Sequence, residues 1–335
     1  MGKKVIVLAV ILVLCTAAAW AQSTLDQLAS DLQTVFEELG EEVVPNLQTA
    51  SVLNHGLGSA QLGNFPHMYF SLSTGATVAP GVLEFTDDEA KFENYGLIDS
   101  FLEEAGLNDS DVRDITDNYA PYPSMRAAIG VGLLGGYEVD VQLGIVPSAL
   151  SGAIPVDGLD ASITTIGTRV RKVLVEQQRG IPAISVGVGY VYSMIDFGFD
   201  LNEVDPVEFG GEELDLTGDL TFEAQTHSIG VDVRASTRFL RVSYPFIGVS
   251  GYFQRSTYKA GIDGFAADIT SSLTGTTTTV DTNVQPLSEQ DFNDFNMVIN
   301  TGSDIKLAFI NLFIHLNYAI DTRAYGGILG MRVQI

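Results

Sequence analysis

Tyr325-Gly-Gly-Ile-Leu-Gly-Met-Arg-Val-Gln-Ile335 is the stretch whose reading decides the fold. Tyr325, Gly327, Leu329, Met331, Val333 and Ile335 form a mostly apolar set. The positions between them, Gly326, Ile328, Gly330, Arg332 and Gln334, form a mixed one. A period of two belongs to a β-strand, whose side chains point to alternate faces. Both the wall of a membrane barrel and the half-buried sheet of a soluble sandwich produce this alternation, so the choice rests on the rest of the chain.

The same period recurs upstream. In His67 to Val78, the residues Met68, Phe70, Leu72, Ala76 and Val78 alternate with His67, Tyr69, Ser71, Ser73, Gly75 and Thr77. Met125, Ala127, Ile129, Val131 and Leu133 form one face of the next strand, and Tyr137, Val139, Val141, Leu143 and Ile145 one face of the strand after it. Keeping these two apolar faces on one side sets Leu133 opposite Tyr137. Leu134-Gly135-Gly136 then becomes a three-residue hairpin, with glycine for its left-handed position. The pairing sets Glu138 across from Gly132 and Asp140 across from Gly130, which predicts open space beside the two acids. Further strands are predicted near 167–178, 183–197, 221–238, 241–256, 291–302, 305–320 and 324–335, for ten in all. The face flips around Phe239 to Phe246, where a turn and a bulge both fit.

Ten strands give connections that alternate long and short. Residues 79–123, 148–166, 198–220 and 257–290 are long, whereas 134–136, 179–182, a link near 240 and 303–304 are short. Only the last link, near Asp321, breaks step. Outer-membrane barrels have short periplasmic turns, long outside loops and an even strand number. A sandwich has no reason to alternate in this way. The expected fold is therefore all-β, an antiparallel transmembrane β-barrel of about ten strands (range ten to fourteen) with a short N-terminal helical segment. A soluble periplasmic sandwich that binds a ligand stays the alternative.

Bulk properties agree with export and a membrane. Lys3 and Lys4 precede the apolar run Val5 to Leu14, and Ala19-Trp20-Ala21 supplies a small-x-small cleavage site, so residues 1–21 read as a secretory signal peptide. Cys15, the single cysteine, falls within it, and the bulky Leu14 just before it argues against lipidation. No disulfide framework remains. The net charge is −25, and loss of Lys3 and Lys4 with no acid takes it to −27. Nucleic acid and anionic lipid headgroups are thereby disfavoured as partners. Mean hydropathy is nevertheless positive, at +0.21. An acidic yet apolar chain without a spanning helical run fits a barrel, whose apolar residues are spread over alternate positions.

Residues 22–62 are expected to form a helical plug or cap, and 63–335 the barrel. Leu25, Leu28, Leu32, Val35, Phe36 and Leu39 share one face of a helix over Thr24 to Leu39, and Thr24 with Gln27 resembles a capping box. A second, less regular helix is expected from Glu41 to Leu53. With side chains a helix is about 10–12 Å across, and about eight strands enclose an interior that side chains just fill. A ten-stranded barrel could then hardly swallow the first helix. Either it caps the periplasmic mouth or the strands number more than ten.

Two resemblances follow from quoted residues. Gly330, Val333 and Ile335 resemble the carboxy-terminal assembly signal of bacterial outer-membrane barrels, with Ile335 where an aromatic is commonest and Ile328 where a polar residue is usual. The helix, Pro45, the Leu53-Asn54-His55-Gly56 turn and the Ala60 and Gly63 spacing resemble a family of uncharacterised exported barrels of double-membraned bacteria. That family implies a barrel and no activity. A looser likeness, in element order only, is to the long-chain fatty-acid transporter barrels. Their Asn-Pro-Ala segment is missing here.

The chemistry expected is that of a lumen. Arg126, Glu138, Asp140, Asp232, Arg234, His315 and Asn317 lie opposite the apolar face. They either fill a narrow barrel with salt bridges or line a solute path and set its selectivity. Twelve acids between Glu84 and Asp117, and nine between Asp200 and Glu223, read as solvated loops, and Thr270 to Thr282 as a flexible one. Four histidines at no ligand spacing, and a Gly248-Val-Ser250-Gly251 that misses the nucleophile elbow, predict no metal, no cofactor and no enzyme. Expected partners are outer-membrane lipid, the barrel-assembly machinery and small solutes, apolar ones included, with both termini periplasmic. A passive channel is the first functional reading. A closed structural or adhesive barrel working through its acidic loops is the second.

Overall fold

The computed structural model describes residues 44–46, 48–53, 58–60, 67–80, 119–146, 159–200, 202, 206–209, 212–239, 242–271, 277–281 and 289–335. Its strands are β1 (His67–Pro80), β2 (Tyr119–Leu133), β3 (Tyr137–Val146), β4 (Leu159–Val175), β5 (Ala183–Asp200), β6 (Val207–Phe209), β7 (Glu212–Ser236), β8 (Ser243–Ser271), β9 (Thr277–Asp281), β10 (Glu289–Leu307), β11 (Ile310–Ala319) and β12 (Tyr325–Gln334). Ten of them close into one antiparallel ring. From β1 it runs through β2, β3, β4, β5, β7, β8, β10, β11 and β12 back to β1, while β6 and β9 pair onto the flanks of β7 and β8.

Burial on this ring is inverted relative to a soluble protein. Ile229, Val231 and Val233 on β7 are 58%, 62% and 54% exposed, and Phe70, Ile314 and Leu329 are exposed likewise. Their neighbours Ser228, Asp232 and Arg234 are buried. An apolar outside around a polar inside is stable only with hydrocarbon outside, so the wall is that of a transmembrane barrel. Along β8 the outward residues Ile247, Val249 and Phe253 give way to the exposed Arg255 and Lys259. Arg255 pairs with His227 on β7 and Asn293 on β10, so the apolar band ends at one level on three strands.

The hairpin register matches its expected form, with Leu133 opposite Tyr137, Gly132 opposite Glu138 and Gly130 opposite Asp140. Gly135 and Gly136 take φ of 77° and 76°, the left-handed region that glycine enters without steric cost. The space beside the acids is not open, however. A Cβ on Gly130 would lie 2.2 Å from the Tyr69 ring, and one on Gly132 1.9 Å from the His67 ring. The gap in β2 is filled from β1, the strand on its other side.

Several boundaries differ from expectation. The last short turn is Ala308-Phe309 rather than 303–304, with Ala308 at φ 56°. The face flip near Phe239 is a turn between β7 and β8, bridged by Phe239 and Ser243. Thr277–Asp281, expected in a loop, is β9, paired with Ala266 to Thr270. β7 and β8 also run much further than their apolar pattern, to 25 and 29 residues. About 9–11 residues cross a bilayer, so this hairpin stands well clear of the membrane on the side of the long connections. Outward positions there meet water, which removes the apolar alternation while the pairing continues. On that extension, Asp291 accepts hydrogen bonds from Thr257 and Arg255, which hold its carboxyl below the usual carboxylate range.

The ring closes where β1 meets β12, with Thr74 opposite Leu329 and Gly75 opposite Ile328. A Cβ on Gly75 would sit 2.2 Å from the backbone carbonyl oxygen of Gly327, which cannot swing aside as a side chain would. Gly75→Val is expected to destabilise the closed barrel by about 1–3 kcal/mol through overpacking at this seam. The check is the denaturant midpoint of the fast-migrating, unboiled form in gels, which should fall relative to the parent chain.

Candidate functional site: the filled lumen

Inward positions of neighbouring strands face one another, so charges at i and i+2 on one strand meet those on the next. Glu138 and Asp140 on β3 lie opposite Arg171 and Arg169 on β4. Arg171 Nη2 donates to Glu138 Oε1 at 2.6 Å, and Arg169 donates through Nε and Nη2 to Asp140 Oδ2 at 3.1 and 2.8 Å. The second pair presents two N–H groups to one carboxylate, the fork geometry that arginine alone offers. Gln142 Nε2 donates to the other oxygen of Asp140 at 2.8 Å. On β7, Arg234 Nε lies 2.8 Å from Asp232 Oδ1. His67 Nε2 is 3.4 Å from Glu138, and His315 Nε2 is 3.2 Å from Asp304. Arg332 stacks over the Tyr69 ring at 4.4 Å. Charge buried so deeply persists only when paired.

The N-terminal segment lies inside this ring. Residues 44–46 and 48–53 are helical, and 58–60 follow in irregular form. Gly58 O accepts from Arg234 Nη1 at 3.2 Å, Ser59 O accepts from Arg171 Nη1 at 2.8 Å, and Ser59 N–H donates to Asp304 at 2.9 Å. Further along the lumen, Arg126 Nη2 donates to Ser51 O at 2.9 Å, satisfying one of the carbonyls a helix end leaves without an intrahelical partner. Gln254 donates to Gln48 O, Gln48 donates to Ser256, Asn296 donates to Thr49, and Thr322 lies 3.1 Å from Thr49. Val52 and Leu53 pack with Ala79, Val191, Tyr252, Val298, Ala319 and Ala324.

These contacts give the segment a direction. Arg171, Arg234 and Asp304 lie close to the short turns, whereas Thr322, Ala324 and Ala79 lie at the opposite end, among the connections that leave β1 and β11. The described residues 44–46, 48–53 and 58–60 therefore run from the end of the long connections toward the short-turn end. Small residues, Thr49, Ser51, Gly58, Ser59 and Ala60, keep much of the segment slender, and Val52 and Leu53 fill the space against the wall. The helix in the lumen falls within the second expected helix, Glu41 to Leu53, whereas the choice between a periplasmic cap and a wider barrel concerns the first. Thr24 to Leu39, with Leu25, Leu28, Leu32, Val35, Phe36 and Leu39, lie outside the described residues.

Arg126, Glu138, Asp140, Asp232, Arg234, His315 and Asn317 are all buried on the inner face. Glu138 and Asp140 join one network, Asp232 and Arg234 a second beside it, and His315 a third. Arg126 meets the helix end. Asn317 stands apart from all of these. The lumen also uses His67, Tyr69, Arg169, Arg171, Asp304 and Arg332, which the apolar alternation alone did not single out. Extending the register of the first hairpin by one strand would have found Arg169 and Arg171, since Arg-x-Arg then falls opposite Glu-x-Asp. Of the assembly-signal residues, Ile335 projects outward at 91% exposure, and its backbone pairs with that of Met68. Gly330 leaves room for the Phe313 ring, 2.2 Å from where its Cβ would be.

Among solved structures, the chain is similar to the translocator domain of the autotransporter NalP from Neisseria meningitidis (8% identity, 89% of this chain and 96% of that one, TM-score 0.37). It is similar also to the outer membrane protease OmpT from Escherichia coli (9% identity, 82% and 99%, TM-score 0.38) and to a major outer membrane protein from Thermus thermophilus (10% identity, 80% and 99%, TM-score 0.32). Likenesses of this strength carry no argument about activity. A search of curated proteins finds no match. The looser likeness to fatty-acid transporters gains no support. A family model described as Lsa36-like matches residues 127–335, from β2 through the closing strand β12, and the chain belongs to the Lsa36-like family.

Proposed function

We propose that this chain is a closed outer-membrane barrel, structural or adhesive in role, whose working surface is the acidic side of its long connections, with residues 22–62 as its plug. The observation that carries the reading is the occupied lumen, where eight hydrogen bonds tie residues 48–59 to the wall along its length. A path for small solutes, the competing reading, requires this segment to leave. The bases Arg126, Arg169, Arg171, Arg234 and Arg332 face the lumen, whereas the acids Glu213, Asp215, Asp219 and Glu223 on the extended β7 are exposed. The acidic surface is thus what the protein offers to solvent and partners. No enzymatic step is part of this reading.

The end at which the long connections lie adds a topological expectation. The link between β11 and β12 lies at the end of the long connections, so the exposed Arg323 belongs on the cell surface. The chain after its signal peptide has no cysteine, which makes the test direct. Arg323→Cys is expected to react with a membrane-impermeant maleimide on intact cells, whereas Arg179→Cys, in the short turn between β4 and β5, reacts only after the outer membrane is broken. Protection of Arg323→Cys in intact cells would reverse the topology. Large, steady conductance by the full chain in planar bilayers would overturn the closed reading and restore the channel.

A further inference from the structure

Arg126 differs from the other lumenal arginines. Arg169 has Asp140, Arg171 has Glu138 and Arg234 has Asp232. The residues opposite Arg126 on its neighbouring strands are Ser73 on β1 and Gly144 on β3, neither of which carries charge. Its side chain is buried, its Nη2 is used by Ser51 O, and its Nε donates to nothing among the described residues. A buried guanidinium held only by a neutral carbonyl retains its full charge in a poorly solvated place, a costly arrangement.

Beside it lies a cavity of about 30 Å³. Arg126, Arg169 and Arg332 line it, together with Ser71, Ser73 and His315, and none of the described residues around it carries a carboxylate. Arg169 Nη1 is a second buried N–H group without a partner among the described residues. Two guanidiniums that each keep an unsatisfied donor, a third arginine and two hydroxyls therefore line one small space, roomy enough for a water or a small ion. Glu138, Asp140, Asp232 and Asp304 are already paired with Arg171, Arg169, Arg234 and His315, so among the described residues Arg126 has no carboxylate partner.

We propose that this cavity is a binding site for one small inorganic anion, chloride or a halide of similar size, held between Arg126 and Arg169. Water would satisfy the donors and leave Arg126 without a counter-charge, whereas a monovalent anion supplies both. A small monovalent anion fits the space; gluconate, a bulky polyhydroxy carboxylate, is the reference ion of the test.

The test uses the full chain folded in detergent, comparing the thermal midpoint of the compact form in sodium chloride, sodium bromide and sodium gluconate at equal ionic strength. Chloride and bromide are expected to raise the midpoint over gluconate by about 5 °C at a hundred times the dissociation constant. Ser73→Asp, which sets a carboxylate opposite Arg126, is expected to fold and to lose the halide dependence, and Arg126→Met to lose it too. Line broadening of the chloride-35 resonance by the parent chain, absent with Ser73→Asp, gives a readout independent of stability. Equal midpoints in chloride and gluconate with no broadening would mean a water-filled cavity only, and would overturn the proposal.

Discussion

Asp140→Ala is expected to destabilise the barrel by about 3–5 kcal/mol, the usual cost of stripping the partner from a buried ion pair. Asp140 accepts two N–H groups of Arg169 and the amide of Gln142, and both members of the pair are almost wholly buried. Without the carboxylate, Arg169 keeps its charge and loses its strongest partner. Replacing the pair together, with Asp140→Leu and Arg169→Met, is expected to recover most of the loss, because apolar residues of similar volume remove the desolvation penalty as well as the attraction. The difference between single and double variants is the coupling energy of the pair. The measurement is the urea midpoint of the heat-modifiable form, on the single and double variants together. A single variant within about 1 kcal/mol of the parent would show that the lumen is wet enough at this level for water to replace the carboxylate. The exposed pair of Arg255 and Asp291, with side chains 62% and 51% exposed, sets the contrast. Such surface pairs contribute only about 0–1 kcal/mol.

How much of this was legible from residues alone depends on what each strand faces. In the band that meets hydrocarbon, every second residue must be apolar, so β3, β7 between Ile229 and Ala235, and β12 show themselves by alternation. The register of the first hairpin followed from keeping two such faces together. Beyond the band, water touches the outward side and the constraint lapses. That is why Glu212 to Thr221 reads as acidic loop although it is paired strand, and why Thr277–Asp281 reads as a flexible stretch. The inner face is legible only in part. A charge at an inward position can be named from one strand, but its partner lies on another, and pairing between β3 and β4 or closure of β1 on β12 must be known first. Tyr69 filling the space over Gly130 is a contact of this kind. The segment 44–60 was the least legible, because nothing in Thr49, Ser51, Gly58, Ser59 and Ala60 distinguishes a linker from a lumenal core until the arginines that bond its carbonyls are placed around it.

The same contacts set the expectation for a chain lacking residues 22–60 behind an intact signal peptide. The segment leaves behind a passage about as wide as a slender helix, on the order of 10 Å with its side chains, in a wall whose own inward side chains do not close ten strands completely. Arg171 and Arg234 lose their carbonyl acceptors, and Asp304 loses the Ser59 amide. Their acid and histidine partners on the wall remain, so the ring is expected to fold with lower stability and to admit water. In planar bilayers the parent chain is expected to stay closed. At about 1 kcal/mol net for each of eight hydrogen bonds, before the cost of ordering the segment, spontaneous withdrawal is rare. The shortened chain is expected to give discrete conductance steps in nearly every insertion. Reversal potentials across a salt gradient then read the lumen's sign: the inward arginines and Lys306, against Glu138, Asp140, Asp232 and Asp304, predict a mild preference for anions, opposite to the net charge of the whole chain. Should the shortened chain insert, shift on heating and remain silent, the wall alone would close the lumen and the segment would be structural filling. Should it conduct with strong cation preference, the acidic connections at the outer mouth, and not the arginines below them, would control the path.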